Sequence, residues 1–363
     1  MTRLLLMALL VATTSATAQL RERLDSLMRA TTQANQPGSA LLVVLNGQEV
    51  YRKGHGLANV DTKSLITPST NFRMASVTKQ FTAMGVLLLE KDKKLSLDDP
   101  LARFFPELNG SVSRKVRVRN LLTHSSGLLD YETVMNPNQK EQLLDADVLA
   151  LLTDRDSLYF EPGSQFRYSN SGYCLLALLI ERVSGQAYAS FIRQRIFEPL
   201  NMTQSVVYEV GKPIPNRAMG YARNKAGKFV FSDQSVTSAT KGDGGVYTSL
   251  DDYQKWSDAL RHHTLLNLTT ALARTGQAIG SAPGSFYGDG WFYRQPASPV
   301  LFHSGSTCGF NNYVVAIPEK QVLVVYFSNR ADNKANAEAL FRILGDAGQP
   351  ELTDMLALDD LTR

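Results

Sequence analysis

Strand-forming runs lie at the two ends of this chain and helical periodicity fills the space between them, a separation that restricts the fold more than any other feature. Near the start, "SALLVVLNGQEVYRKGHG" from Ser39 to Gly56 carries two β-rich stretches around Asn46-Gly47. Asn-Gly readily takes the positive φ angles of a tight hairpin turn. Near the end, "NNYVVAIPEKQVLVVYFSN" repeats the design, with a strand from Tyr313 to Ile317, a turn at Pro318-Glu319-Lys320 and a strand from Gln321 to Phe327. A lone hairpin is marginal in water, so hairpins this far apart are best buried in one sheet. The spacing predicts an α+β fold. An antiparallel sheet is built from the N- and C-terminal strands and flanked by helices, and a large helical subdomain is inserted in the middle.

The inserted region reads as helices near Thr78 to Lys91, Lys140 to Leu152, Gly172 to Ser184, Tyr188 to Ile196 and Leu250 to Arg261, joined by Gly/Pro/Ser loops. A helix from about Arg21 to Thr31 precedes the sheet, and another from Asn336 to Leu344, stopped by Gly345, follows it. No repeat or flexible linker divides residues 19–363, which read as one unit. Ahead of them, Arg3, the apolar run Leu4 to Ala12 and the small residues Ala16-Thr17-Ala18 have the order of a secretory signal peptide. Cleavage is expected after Ala18. That predicts a secreted or periplasmic protein without a membrane span once the leader is gone.

Composition narrows the chemistry. A 44% hydrophobic, 20% charged chain supports a large core, and a formal charge of +4 without a basic block argues against nucleic acid as a partner. The five histidines form no H-E-x-x-H pattern, and Cys174 and Cys308 form no C-x-x-C, so neither a metal nor another cofactor is expected. The two cysteines read equally as free thiols or as one bridge.

Nucleophilic chemistry has two candidates. In "FRMASVTKQFTAMGVLLLE", Ser76 stands three residues ahead of Lys79, followed by Phe81, Met84, Leu87 and Leu88 at helical spacing. Ser caps helices and Lys is a common surface residue, so such a pair also arises as punctuation. A second copy, "SATK" from Ser238 to Lys241, shows how readily it recurs. The first copy sits at a helix start, where residues three apart are neighbours and the N-terminal dipole favours a developing oxyanion. The second runs into Gly242-Asp243-Gly244-Gly245, which cannot hold a one-turn spacing. No G-x-S-x-G elbow occurs. Tyr168-Ser169-Asn170, just before a strongly apolar helix, offers a phenol and an amide two residues apart. His303-Ser304-Gly305 precedes the C-terminal strand pair. Taken singly, these two read as a loop tyrosine with an Asn cap and as a turn with an incidental histidine.

In this order, Ser-x-x-Lys, Tyr-x-Asn and His-Ser-Gly resemble the serine β-lactamase and penicillin-binding-protein superfamily. The likeness is to the class C β-lactamase-like branch, which also contains D-Ala-D-Ala carboxypeptidases, D-aminopeptidases and carboxylesterases. The stretches "LLTHSSGL", "GGVYTSLDDYQKW", "YGDGW" and "HSGSTCGFNNYVVAIPEKQVLVVYFSN" extend it over about Ser39 to Asn329.

The resemblance implies that Ser76 attacks a carbonyl to form an acyl-enzyme and that Lys79 takes or holds its proton. Tyr168, as phenolate or through a shared hydrogen bond with Lys79, passes a proton to the leaving group, and Asn170 orients Lys79 and binds a substrate amide. Backbone N–H groups of Ser76 and Ser306 form the oxyanion hole, and Ser304 and Gly305 line the substrate. His303 stands where the branch often has Lys, beside Tyr168 and any substrate carboxylate. An imidazole is a weaker carboxylate anchor than an ammonium, which favours a peptidase or esterase over a dedicated β-lactamase. The expected function is an exported serine hydrolase acting on D-amino-acid peptides, β-lactams or small esters. The alternatives are a carboxylesterase without a cell-wall role and a penicillin-binding sensor that stays acylated.

Overall fold

The computed structural model describes residues 2–362, with side chains from residue 16 onward. The basic and apolar residues of the expected leader, Arg3 and Leu4 to Ala12, therefore lie outside the described side chains. The helix expected over Arg21 to Thr31 is the end of a longer helix, α1 (Thr2–Thr31), which runs through the expected cleavage position. Among its described side chains the buried apolar ones are Leu20, Leu24 and Met28, at helical spacing.

Eight strands form one antiparallel sheet: β1 (Ser39–Leu45), β2 (Gln48–His55), β3 (Gln277–Ala278), β4 (Ser285–Gly288), β5 (Trp291–Arg294), β6 (Val300–Thr307), β7 (Phe310–Ile317) and β8 (Val322–Ser328). Their order is β3-β4-β5-β6-β7-β8-β1-β2. The first hairpin adds to the last strand, with Ser39 opposite Ser328 and Val43 opposite Val324. Joining the chain ends this way is the arrangement the two distant hairpins predict. Every residue of β7 and β8 is buried, so both sheet faces are covered. Tyr326 points to one face, where its hydroxyl meets Ser39 Oγ at 3.2 Å, and α1 and α7 (Lys334–Asp346) pack together on that side. Phe327 points to the other, edge-on to Tyr253 of α6 (Leu250–Arg261).

The central helical subdomain gathers α2 (Lys79–Lys91), α3 (Asp145–Thr153) and α5 (Tyr188–Ile192) around α4 (Asn170–Ser184). Among the differences from expectation, some have a plain physical reason. Helix α3 begins at Asp145 rather than Lys140, because Asp147 turns back to accept from Leu144 N at 2.8 Å and closes the first turn there. Helix α7 passes through Gly345, and the left-handed conformation that ends such a segment falls at Gly348. His303-Ser304-Gly305 lies inside strand β6 rather than in a turn. The aromatics Tyr287, Trp291, Phe292 and Tyr293 pack the strands beside it.

Candidate active site

Ser76 sits in a single 3-10 turn, Ala75–Thr78, that feeds directly into α2 at Lys79. In a 3-10 turn side chains at i and i+3 eclipse, which aligns Lys79 under Ser76 more closely than an α-helix would. The preceding Ala75 holds φ +47°, a left-handed conformation uncommon for a residue with a Cβ. The small sheet strands Phe72–Arg73 and Val246–Thr248 fix the entry to this turn.

Lys79 is fully buried, and its Nζ has three partners: Ser76 Oγ at 3.1 Å, Asn170 Oδ1 at 2.9 Å and the Asp243 carbonyl at 3.1 Å. Asn170 is the first residue of α4, placed there because Ser169 Oγ accepts from Gly172 N at 3.3 Å as the cap. The Tyr168 ring lies over the amine, 4.9 Å from Nζ to its centroid. Burial raises the Tyr168 phenol above its ordinary range, against the opposing pull of Lys79 and Ser76. The resting site therefore holds Tyr168 as a phenol rather than a phenolate.

His303 is the main departure from the expected arrangement. It is close to Tyr168, with ring centroids 6.3 Å apart, but it is fully buried and does not line the cleft around Ser76. Its Nδ1–H donates to the Ser304 carbonyl at 2.6 Å, and Nε2 accepts from Tyr287 hydroxyl at 3.1 Å. Burial and the nearby Lys79 charge push its pKa down to about 3. A neutral imidazole with both nitrogens occupied has nothing to offer a carboxylate. Ser304 is also buried, opposite Tyr313 in the β6–β7 register, and lies outside the cleft lining.

Gly305 serves the backbone. A Cβ at this position would stand 2.1 Å from the Met74 carbonyl and 3.1 Å from Ser76 N, so only glycine lets β6 run against the Ser76 turn. Ser306, the next residue, is exposed and lines the cleft with Ser76, which puts both expected oxyanion residues on its wall.

Several groups in the site carried no role in the sequence reading. His124 holds φ +52°, accepts from Ser169 N through Nδ1 at 3.1 Å, and packs 4.2 Å from the Tyr168 ring. Burial, Lys79 and His303 keep it neutral. Tyr287 and Phe292 complete the packing around Tyr168. Glu132 lines the cleft and accepts from Asn170 Nδ2 at 3.3 Å. Burial, with Asp243 and Asp130 adding like charge, raises its carboxyl. The Asp243 carbonyl comes from the glycine-rich loop whose serine, Ser238, is buried and tied to Ser235 N at 2.9 Å. Clustered glycines that allow close backbone approach were the signal for this loop.

The cleft is small, about 70 Å³, against about 450 Å³ for the groove between α1 and the β1–β2 turn. It is the chemistry, not the size, that marks the site. Among the described residues no group of His, Cys, Asp and Glu is placed to hold a metal ion, and Cys174 and Cys308 are both free.

A serine bonded to a buried lysine, at the junction of an antiparallel sheet and a helical subdomain, defines a serine hydrolase of the β-lactamase and penicillin-binding fold. A beta-lactamase family model matches residues 20–349, and the chain belongs to that family. It is 27% identical over 339 residues to a penicillin-binding protein of Bacillus subtilis, covering 89% of this chain and 74% of the relative. It is 26% identical to the protein flp of Staphylococcus aureus, covering 87% of this chain and 64% of flp, less than two thirds of that relative's length. Among solved structures, the octameric penicillin-binding protein homologue of Pyrococcus abyssi superposes with TM-score 0.75 and 28% identity, over 90% of this chain and 77% of that one. The D-amino acid amidase of Ochrobactrum anthropi in complex with D-phenylalanine superposes with TM-score 0.75 and 25% identity, over 92% and 99%.

Proposed function

We propose that the protein is an exported serine hydrolase that acylates at Ser76 and turns over small esters and amides, D-amino-acid amides with a free amine foremost. The observation that carries this reading is the Lys79 Nζ, which touches Ser76 Oγ at 3.1 Å while two fixed carbonyl oxygens hold it in place. In the state competent to attack, a neutral amine donates its two hydrogens to Asn170 Oδ1 and the Asp243 carbonyl. Its lone pair then faces Ser76 Oγ–H. As Oγ bonds to the substrate carbonyl carbon, its proton moves to Lys79, and the carbonyl oxygen draws on the N–H groups of Ser76 and Ser306. Tyr168 O–H protonates the departing amine and is restored from Lys79, so the pair returns one proton per acylation. Water attacks the acyl-enzyme by the same route in reverse.

Charge in the cleft supports the substrate class. The acidic side chains Glu132 and Asp243 line it, whereas Arg73, the one Lys or Arg in its lining, is itself buried and bonded to Gln234 and the Ser238 carbonyl. An ammonium is the better complement, and the Ochrobactrum amidase offers a precedent of the same fold. The leader-like first eighteen residues support export.

The test is product analysis and intact-mass measurement with D-phenylalaninamide, its N-acetyl derivative, p-nitrophenyl acetate and benzylpenicillin. Repeated turnover of the free amide and the ester, with the acetylated amide and penicillin much slower, is expected. Stoichiometric adducts with every compound and no further product would replace this reading with the sensor. Rapid penicillin turnover without ester cleavage would replace it with a β-lactamase.

A further inference from the structure

We infer that Asp145 is a positioning residue for Lys79, acting through the backbone of the Lys241–Asp243 loop and making catalytic competence depend on the ionisation of a carboxylate outside the substrate cleft. The inference rests on the Ser76–Lys79 reading above and goes beyond it in naming what holds the lysine.

Asp145 opens α3 and is buried, yet its carboxylate makes no ion pair among the described residues. It accepts instead from backbone: Lys241 N reaches Oδ1 at 3.2 Å and Oδ2 at 3.0 Å, and Gly242 N reaches Oδ1 at 3.2 Å. The next residue, Asp243, presents the carbonyl that receives Lys79 Nζ at 3.1 Å. From the opposite side Thr82 Oγ1, one turn along α2 from Lys79, donates to the Gly242 carbonyl at 2.6 Å and shares a 2.6 Å contact with the Tyr188 hydroxyl. The loop is thus clamped between α2 and α3. Gly242 runs close against α4, where a Cβ would stand 2.1 Å from the Tyr173 carbonyl, so only glycine fits this path. An anion bound by consecutive backbone N–H groups sets the path of those peptides, and the path sets where the next carbonyl points.

The surroundings of Asp145 make this clamp responsive to pH. Facing it are Asp243 and Lys241 from the loop, Cys174 from α4 and Tyr188 from α5, while the Tyr131–Val134 turn packed on α3 brings Tyr131 and Glu132. Burial and the like charge of Asp243 raise its pKa to about 7, against the two peptide N–H groups and Lys241. Protonation removes the anion that Lys241 N and Gly242 N bind, so the clamp loosens as pH falls through this range. Activity should fall with it.

The decisive variant is Asp145→Asn, which keeps the shape and one acceptor oxygen but does not titrate. Compared with wild type, a folded Asp145→Asn enzyme should show kcat lowered about tenfold with KM within about twofold, since Lys79 is displaced and the cleft is not. The acid limb of its kcat profile near pH 7 should move down by more than about one unit, a change that a purely structural role would not produce. A folded variant with the wild-type limb and kcat would overturn the inference. Hydrogen exchange on the wild-type protein decides the matter if the variant does not fold. Protection of the peptide covering Thr240 to Val246, corrected for intrinsic rates, should drop as pH falls from 8 to 6 while that of α4 holds; unchanged protection overturns the inference. Ser76→Ala is run in parallel. If it stays active, the reading of the site itself fails; if it is dead while Asp145→Asn is indistinguishable from wild type, only the role of Asp145 fails.

Discussion

The Tyr168 phenol lies over Lys79 with Nζ 4.9 Å from the ring centroid, and its hydroxyl interacts with both Ser76 and Lys79, which favour its ionised form against the burial that opposes it. This puts a proton donor beside the nucleophile.

Replacing Tyr168 with Phe keeps the ring packing against His124 and Phe292 and removes only that proton donor. Turnover of an amide should fall about 100-fold or more, while a p-nitrophenyl ester, whose leaving group needs no proton, should lose far less. Steady-state kinetics on the two substrates read the difference; equal losses would remove Tyr168 from the proton path.

The two Ser-x-x-Lys copies separate cleanly by substitution. Ser76→Ala should abolish acylation, seen as the loss of any mass adduct. Ser238→Ala should leave activity near wild type and lower stability by about 1 kcal/mol, or about 2 °C in Tm, because Ser238 Oγ bonds only within the local turn, accepting from Ser235 N and sharing a contact with the Ser235 hydroxyl.

Gly305→Ala tests the approach of β6 to the nucleophile turn. The added methyl meets backbone, which cannot step aside as a flexible side chain would. A loss of kcat of about 100-fold is expected with the far-ultraviolet dichroism spectrum unchanged. Wild-type activity in this variant would mean that β6 does not set the oxyanion geometry.

His303 makes a prediction about stability rather than substrate choice. Its folded pKa of about 3 lies below the ordinary imidazole value of about 6.5, so its contribution is complete above the unfolded value and is lost as pH falls toward the folded one. Asp145 and Asp289, raised to about 7 and about 6, act in the opposite sense over part of this range, so wild type and variant must be compared at each pH. The Tm advantage of wild type over His303→Asn should shrink steadily from pH 7 to pH 4. A constant difference would show that the buried imidazole is not held neutral. His303→Lys should lower Tm at neutral pH without improving the handling of carboxylate substrates, because the new ammonium would be buried among aromatic rings.

Glu132→Gln tests the charge of the cleft. Loss of selectivity for the free D-amino-acid amide over its N-acetyl derivative, by about tenfold, is expected with Ser76 acylation by the ester retained. Unchanged selectivity would separate Glu132 from substrate recognition.

The sequence by itself determined what depends on neighbours along the chain. Ser76 and Lys79 meet because three residues of one helical turn bring them together, and Asn170 sits at a helix start because Ser169 caps it. β-rich runs on either side of turn residues likewise marked the terminal strands, and with them the sheet that joins both chain ends. Tertiary structure decided what depends on which distant surfaces meet. The register of β6 turns His303 inward, where one residue's slip would have turned it to the opposite face, and no local pattern records that choice. The Asp243 carbonyl and Glu132 reach Lys79 and Asn170 across gaps of 164 and 38 residues, set by packing between a loop, a turn and two helices. A backbone carbonyl carries no residue-type signal of its own, so the glycine cluster marked a loop of close approach while its meeting with the lysine was set only when the chain closed around it.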